Sequence, residues 1–335
     1  MIAAAAIVVL LVVSGLIFWL VKRDDAPPSV ATVAATTSQP ATTPPTVEAT
    51  PAPAETPATE ATPPAEATDA PSTTYLPPDI PHLQDYMLQL VNEERRSRGL
   101  RPVAWDVVAA TAGQFHAEEM VTFGYLSHWN LEGYGPDFRY VQQGGVDAVS
   151  ENVYSLNHSP GGEPTTPAEW EAYIDRAHES LMGSQGHRDT VLRPSNTHLG
   201  IGIAYDPASG RLRIAQEFVV RQATLSAVAR QAALNDVVTI EGRLLDDSTA
   251  PLLNLAYEPF PQPLSLAKLA ATNSYLSPAE IFEAVNITPD SDGYFSLPVS
   301  LNHENQPGLY HLRLWVNVSD QSEPVMVANP IVMVR

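Results

Sequence analysis

Histidine and acidic side chains in four short polar segments are the residues best suited to chemistry. These segments interrupt an otherwise apolar pattern and read SHWN (127–130), SENV (150–153), GHRDTVL (186–192) and THLGIGIA (197–204). His128, Glu151 and His187 lie 23 and 36 residues apart, so no local spacing brings them together. Imidazole nitrogens and carboxylate oxygens are ligands for Zn²⁺. A histidine taken alone is more often partly buried than a metal ligand, so both interpretations stay open at this point.

The composition restricts the chemistry further. The 335 residues include no cysteine, which excludes disulfides, thiolate catalysis and iron–sulfur clusters. Lys and Arg number 18 against 38 Asp and Glu, giving a net charge of −20, and lysine occurs only at positions 22 and 268. Nucleic-acid binding depends on clustered basic side chains, so we expect no nucleic-acid partner.

Apolar periodicity predicts three helices followed by a β-hairpin. The predicted elements are helices over 82–99, 106–121 and 167–182 and strands over 199–204 and 212–220. In the first helix, Leu83, Met87 and Val91 form the apolar stripe, whereas Arg95 belongs to a charged end that is predicted to be exposed. Helices followed by a hairpin predict an α+β domain, with the helices packed on an antiparallel sheet.

A set of motifs in this region resembles a known family. The segments are LVNEERRSRGLRPVAWD (90–106), HAEEM (116–120), GYLSH (124–128), SENV, GHRDTVL, LGIGIAY and AQEFV. In this order they resemble the CAP superfamily, which includes cysteine-rich secretory proteins, venom antigens, pathogenesis-related proteins and bacterial SCP-domain proteins. The resemblance covers about residues 83–221. It implies an α–β–α sandwich with a central cleft faced by two His and two Glu, in which the His pair can hold a divalent cation.

The family residues carry over to individual positions of this chain. His128 and His187 match the two histidines, and the resemblance makes them the expected ligands of a cation such as Zn²⁺. Glu151 matches the glutamate of the ENV-like motif. The second glutamate has no clear counterpart; Glu179, eight residues before His187, is the nearest candidate, although Leu181 stands at the usual aromatic position of that helix.

The N-terminal 80 residues predict an anchor and a spacer. Residues 2–21 carry no charge and, at 1.5 Å per residue, span roughly 30 Å as a helix, which predicts a transmembrane anchor within 1–23. The linker, 24–80, is predicted to be disordered, because 13 Pro, 13 Thr and 13 Ala fill most of 26–80. Lys22 and Arg23 follow the span and would favour a cytoplasmic chain. We nevertheless expect a single-pass protein of the cell membrane with its folded domains outside.

A second folded region is expected after the CAP-like domain, which we place at 81–225. Six strand-like runs lie within 236–335 and predict an immunoglobulin-like β-sandwich that serves as an accessory module. In one run, Tyr310, Leu312 and Leu314 alternate with His311, Arg313 and Trp315, the pattern of a half-buried strand.

Two functions follow from these expectations. We favour recognition of a lipid, glycan or protein ligand at the cell surface, aided by a divalent cation at His128 and His187. The alternative is a metal-dependent hydrolase that acts on peptides or cell-wall material, with Glu151, His128 and His187 as its catalytic residues. Fold alone does not decide between them.

Overall fold

The computed structural model describes residues 77–159, 161–245, 248–272, 274–319 and 321–335. All of them belong to one compact unit. The predicted anchor and the linker up to residue 76 lie outside the described residues. Among the residues that are described, no helix combines the length and apolar character needed to cross a membrane.

The described residues contain six helices and thirteen strands. The helices are α1 (Ile80–Ser97), α2 (Val107–Phe123), α3 (Pro136–Gln142), α4 (Pro167–Gly183), α5 (Gln185–Val191) and α6 (Leu266–Ala270). The strands are β1 (Ala104–Trp105), β2 (Ala148–Asn157), β3 (His198–Asp206), β4 (Arg211–Val220), β5 (Ala223–Leu225), β6 (Gln231–Ala232), β7 (Val237–Leu244), β8 (Ser248–Glu258), β9 (Glu280–Asn286), β10 (Tyr294–Ser300), β11 (Gly308–Val318), β12 (Val325–Ala328) and β13 (Ile331–Val334). The α+β prediction is therefore confirmed.

The three helices predicted from periodicity are α1, α2 and α4, and local signals explain where they begin and end. The Asp106 side chain accepts a hydrogen bond from the Ala109 amide at 2.8 Å at the start of α2. Gly124 ends the same helix in the left-handed region, with φ of 73°. Thr166 and Glu169 form a capping box at the start of α4.

The first sheet has four strands in the order β1-β3-β4-β2. Strand β1 pairs parallel with β3, and the other pairs are antiparallel. One face packs against α1 and α4, while α2 covers the other. Gly202 allows α2 to lie close, because a Cβ atom there would come within 2.1 Å of the Gly113 backbone. The helices and sheet thus form α–β–α layers.

Arg95 differs from the sequence prediction, since it is buried rather than exposed. Its guanidinium donates hydrogen bonds to four backbone carbonyl oxygens at 2.6–3.3 Å. These carbonyls belong to Arg101, Val191, Arg193 and Asn196. The end of α1 packs against the chain after α5, and the fork-shaped guanidinium satisfies carbonyls that regular secondary structure leaves unpaired.

The remaining strands form two sheets that share a core. One sheet has the order β10-β7-β5, and the other has the order β6-β13-β11-β8-β9 with β12 beside β11. Ile240 and Phe295 of the smaller sheet pack in one cluster with Leu253, Leu312 and Leu314 of the larger. The β-rich region is therefore confirmed, while its immunoglobulin-like character and the boundaries at 225 and 236 stay predictions.

The prediction of a half-buried strand holds for the second part of β11, where Arg313 and Trp315 are partly exposed and Asn317 is exposed, but it fails at the start of the strand. Tyr310 and its alternates face the shared core as expected, but His311 is also only 1% exposed. The reason is α3, which covers the second face at the start of β11: Phe138 and Val141 pack with Leu309 and Ile331. Helix α3 thus covers the larger sheet where the start of β11 lies beside β13.

We predict that Arg95→Ala lowers the free energy of unfolding by about 3 kcal/mol or more, because four carbonyl oxygens lose their donor. Urea unfolding of the full chain in detergent, followed by tryptophan fluorescence, measures the change. Arg96→Ala is the matched control: Arg96 is the exposed neighbour in the same helix and should change the value by less than about 0.5 kcal/mol. Equal effects of the two substitutions would contradict the structural role of Arg95.

Candidate functional site

His128 and Glu151 meet in the structure, although 23 residues separate them. His128 lies in the loop after α2, and Glu151 lies on β2. The His128 Nδ1 atom donates a hydrogen bond to Glu151 Oε1 at 2.8 Å. This bond fixes the ring and leaves Nε2 as its remaining polar atom. The His128 side chain is 11% exposed and that of Glu151 is inaccessible, so the imidazole is the outer member of the pair.

Arg139 completes a buried ion pair with Glu151. Its guanidinium, carried by α3, donates to Glu151 Oε2 at 2.5 Å and to the backbone carbonyl of His128 at 2.7 Å. Burial raises the pKa of Glu151, but the Arg139 charge and the hydrogen bond from His128 outweigh burial and leave that pKa far below its usual value. The carboxylate is therefore ionised, and Arg139 neutralises it.

Glu217 is the second carboxyl group of this cluster. It lies on β4 directly opposite Glu151, and one of its oxygens is 3.7 Å from the Arg139 guanidinium. Burial and the neighbouring Glu151 charge raise the pKa of Glu217 well above its ordinary value. Glu217 is thus held as a neutral acid, which can donate its proton to the Glu151 carboxylate.

His116 supports the cluster from α2. Its Nε2 atom donates to the Ser127 carbonyl at 2.8 Å and lies 3.9 Å from Glu151 Oε2. Burial, followed by the Arg139 charge, lowers the pKa of this ring to about 3, so it is neutral. His116 therefore fixes the backbone immediately before His128 and adds no charge.

The backbone of His187, in α5, is held from the other face of the sheet. Asn152 Nδ2 donates to the His187 carbonyl at 3.1 Å. Asn152 follows Glu151 in β2, and consecutive strand residues point to opposite faces. The strand therefore holds the two histidines from its two sides, at an edge of the sheet. Burial lowers the pKa of His187, and the nearby His128 lowers it further.

Glu179 is placed apart from the buried cluster. It lies on the exposed side of α4, whose buried residues are Trp170, Ile174, Ala177 and Leu181. Glu217 instead supplies the second carboxyl group beside Glu151. Sequence reasoning missed Glu217 and Arg139 as site residues. An acidic residue within the apolar run AQEFV is a signal for Glu217, but Arg139 in PDFRY carried no comparable signal.

The residues do not fit a catalytic zinc site. Within the described ranges, no group of three or more His, Asp or Glu is arranged to hold a metal ion. Both oxygens of Glu151 are engaged, one by His128 and the other by the cationic Arg139. Catalytic zinc takes three protein ligands. An ion held by His128 and His187 would need its remaining ligands from solvent or from a bound molecule.

Comparison with known proteins identifies a family over this part of the chain. The model of the CAP family, the cysteine-rich secretory protein family, matches residues 88–222. These residues form a CAP domain. Their first sheet, three long helices and His128–Glu151 pair all lie within this range or at its border.

Two curated relatives from Bacillus subtilis match the CAP domain. The uncharacterised protein YkwD is 24% identical over 133 residues, which are 39% of this chain and 46% of that protein. The uncharacterised membrane protein YlbC is 32% identical over 119 residues, which are 35% of this chain and 30% of that protein. The chain therefore spans less than half the length of either relative. Among solved structures, an extracellular SCP-domain protein from Bacillus anthracis is 23% identical, with a TM-score of 0.34 and 44% of each chain covered.

We predict that Glu217→Gln makes the protein more stable relative to the natural chain as the pH rises. A carboxyl group with a raised pKa keeps its proton in the folded state, whereas the unfolded chain releases it above about 4.5. The natural chain should therefore lose up to about 1.4 kcal/mol of stability per pH unit above that value, and the glutamine variant should not. Urea titrations of both chains between pH 4.5 and 8 measure this difference. Glu179→Gln, on the surface, is the control, and parallel curves for Glu217→Gln and the natural chain would contradict a protonated Glu217.

Proposed function

We propose that the CAP domain is a recognition module displayed at the cell surface. In this proposal a lipid, glycan or protein ligand binds in the cleft beside His128 and His187. A divalent cation such as Zn²⁺ joins the two imidazoles and the ligand when it is present. The N-terminal anchor and the linker hold the folded part away from the membrane.

The internal neutralisation of the site carries this proposal. Arg139 pairs with Glu151, Glu217 is a neutral acid and His116 is a neutral base. The four buried side chains together therefore carry no net charge. In this proposal the imidazoles of His128 and His187 are the groups that contact the ligand. Such an arrangement presents fixed hydrogen-bonding groups to a ligand, which lowers the entropy cost of binding. Metal-assisted hydrolysis would need a fuller ligand set than His128 and His187.

A hydrolase is the second candidate, and one observation favours it. A carboxylate that accepts from Nδ1 orients an imidazole so that Nε2 can remove a proton, as in general-base catalysis. The Glu151–His128 pair has this geometry. Turnover of a peptide or cell-wall substrate would distinguish this candidate from recognition.

We predict that His128→Ala and His187→Ala each weaken ligand binding about tenfold or more, because each removes one imidazole from the cleft. The full chain in detergent is tested against a glycan array, lipid vesicles, peptidoglycan fragments and a peptide mixture, with and without Zn²⁺. His82→Ala is the control, because His82 is an exposed histidine on α1 that pairs with Glu171. Recognition requires that the natural chain retain a probe without converting it. Unchanged binding by both cleft variants would refute the cleft as the binding site, and turnover that His128→Ala abolishes would favour the hydrolase.

We predict that protease added to intact cells digests the CAP domain and the β-rich region. The expected outside location rests on the anchor-and-linker pattern, and YlbC, a relative over the CAP domain, is named a membrane protein. An antibody against a C-terminal tag follows the digestion, and a cytoplasmic protein reports on cell integrity. Full protection of the tag in intact cells, lost on lysis, would contradict surface display.

A further inference from the structure

The three-stranded sheet of the β-rich region lines a cavity with a volume of about 550 Å³. The volume lies within the range of small-molecule sites. All of the lining residues fall outside residues 88–222, the CAP domain, so the cavity shares no residue with the His128–His187 cleft. Six of them carry hydroxyl, charged or aromatic side chains: Thr224, Ser226, Glu241, Arg243, Tyr294 and Ser296.

The register of β7 and β10 places four of these side chains on one face of the sheet. Tyr294 lies directly opposite Arg243, and Ser296 lies directly opposite Glu241. Side chains of directly paired residues project from the same face, and successive residues alternate between faces. Phe295, between Tyr294 and Ser296, packs in the shared core. The other four residues therefore project outwards, and all four are exposed, so a ligand can reach them.

Tyr294 provides the apolar part of this surface. Its side chain is part of the cavity lining, and the residue is 55% exposed. The Arg243 guanidinium carbon lies 5.3 Å from the centre of the Tyr294 ring, a cation–π contact that restrains both side chains. A restrained aromatic ring offers a flat surface against which the C–H face of a sugar ring can pack.

Arg243 and Glu241 provide hydrogen-bond donors and acceptors beside this ring. Arg243 Nε donates to the Asp292 carbonyl at 2.9 Å. In the part of the chain that the structure describes, its two terminal nitrogens have no protein hydrogen-bond partner, so they stay available as donors. Glu241 Oε1 accepts from the Ser296 hydroxyl at 3.3 Å, and a carboxylate has room for further hydrogen bonds.

The charges in the lining favour a neutral ligand. An anion would meet the carboxylates of Glu241 and Asp290, and a cation would meet the guanidinium of Arg243. Asp290 is committed to the turn before β10, because its Oδ1 atom accepts from the Asp292 and Tyr294 amides at 2.9 Å. Hydroxyl groups both donate and accept, and they can therefore pair with Arg243 and Glu241 without adding charge.

We propose that this face of the β-rich region is a glycan-binding site for a neutral sugar unit. The C–H face of the sugar packs on Tyr294, and its hydroxyl groups bond to Arg243 and Glu241. The site lies outside the CAP domain, so it is additional to the recognition function proposed for the cleft.

Isothermal titration calorimetry of the full chain, in a detergent without a sugar headgroup, tests the proposal. Maltotriose, cellotriose and triacetylchitotriose are the neutral probes, and trigalacturonate is the charged probe. We expect saturable binding of at least one neutral trisaccharide, and binding of trigalacturonate that is about tenfold weaker or more.

Substitutions assign the binding to this face. Tyr294→Ala should weaken binding about tenfold, whereas Tyr294→Phe keeps the ring and should stay within about twofold of the natural chain. Glu241→Ala should weaken binding about fivefold. Glu283→Ala, at an exposed glutamate of β9 outside the cavity, is its matched control and should leave the affinity unchanged. His128→Ala, in the cleft, should also leave it unchanged.

Four results would overturn the proposal. The first is the absence of saturable binding by any of the three neutral sugars, and the second is trigalacturonate binding as tightly as the best of them. The third is an unchanged affinity of the Tyr294→Ala protein. The fourth is loss of sugar binding in the His128→Ala protein, which would place the sugar in the cleft. Loss of cleft binding with the Tyr294-dependent response retained would refute the recognition function alone, so the two proposals fail separately.

Discussion

The buried ion pair between Arg139 and Glu151 is the interaction on which the site depends. Either charge alone would be costly at this depth, because both side chains are nearly inaccessible to water. Three distant segments meet at the pair: α3 brings Arg139, β2 brings Glu151, and the loop after α2 brings His128. Arg139 binds the His128 carbonyl and Glu151 binds its ring, so both the backbone and the side chain of His128 are held in place. The site is consequently formed before any ligand arrives.

Strand β2 also contacts the second histidine, His187, through Asn152. Its side-chain alternation places Glu151 towards α2 and Asn152 towards α5, and each holds one histidine. A shift of one residue in the pairing of β2 with β4 would reverse both directions. It would also separate Glu151 from Glu217, its direct cross-strand partner. The register of one antiparallel pair therefore sets the positions of two histidines and two carboxyl groups.

The sequence predicted the elements well and the burial of charged residues poorly. Helices α1, α2 and α4 and the β3–β4 hairpin follow from periodicity and end signals such as Asp106 and Gly124, which act locally. The convergence of His128 and Glu151 required the family resemblance, because no spacing encodes it. Arg95, His311 and Glu217 show what local pattern misses: each is a polar residue buried by an element distant in sequence. Their partners are backbone carbonyls, α3 and a neighbouring strand, which a single-residue pattern does not specify.

Leu269 of the short helix α6 has a consequence for how this chain can be divided. It is inaccessible to solvent and packs with Met120, Tyr125 and Val153 of the CAP domain, while Leu264 donates its amide proton to the Leu131 carbonyl. The β-rich region thereby packs against the segment on both sides of His128, from Tyr125 to Leu131. Truncation after β4 would remove this packing and expose an apolar surface patch near the His128 imidazole. Separating the two regions would therefore expose to water apolar side chains that the intact chain keeps buried.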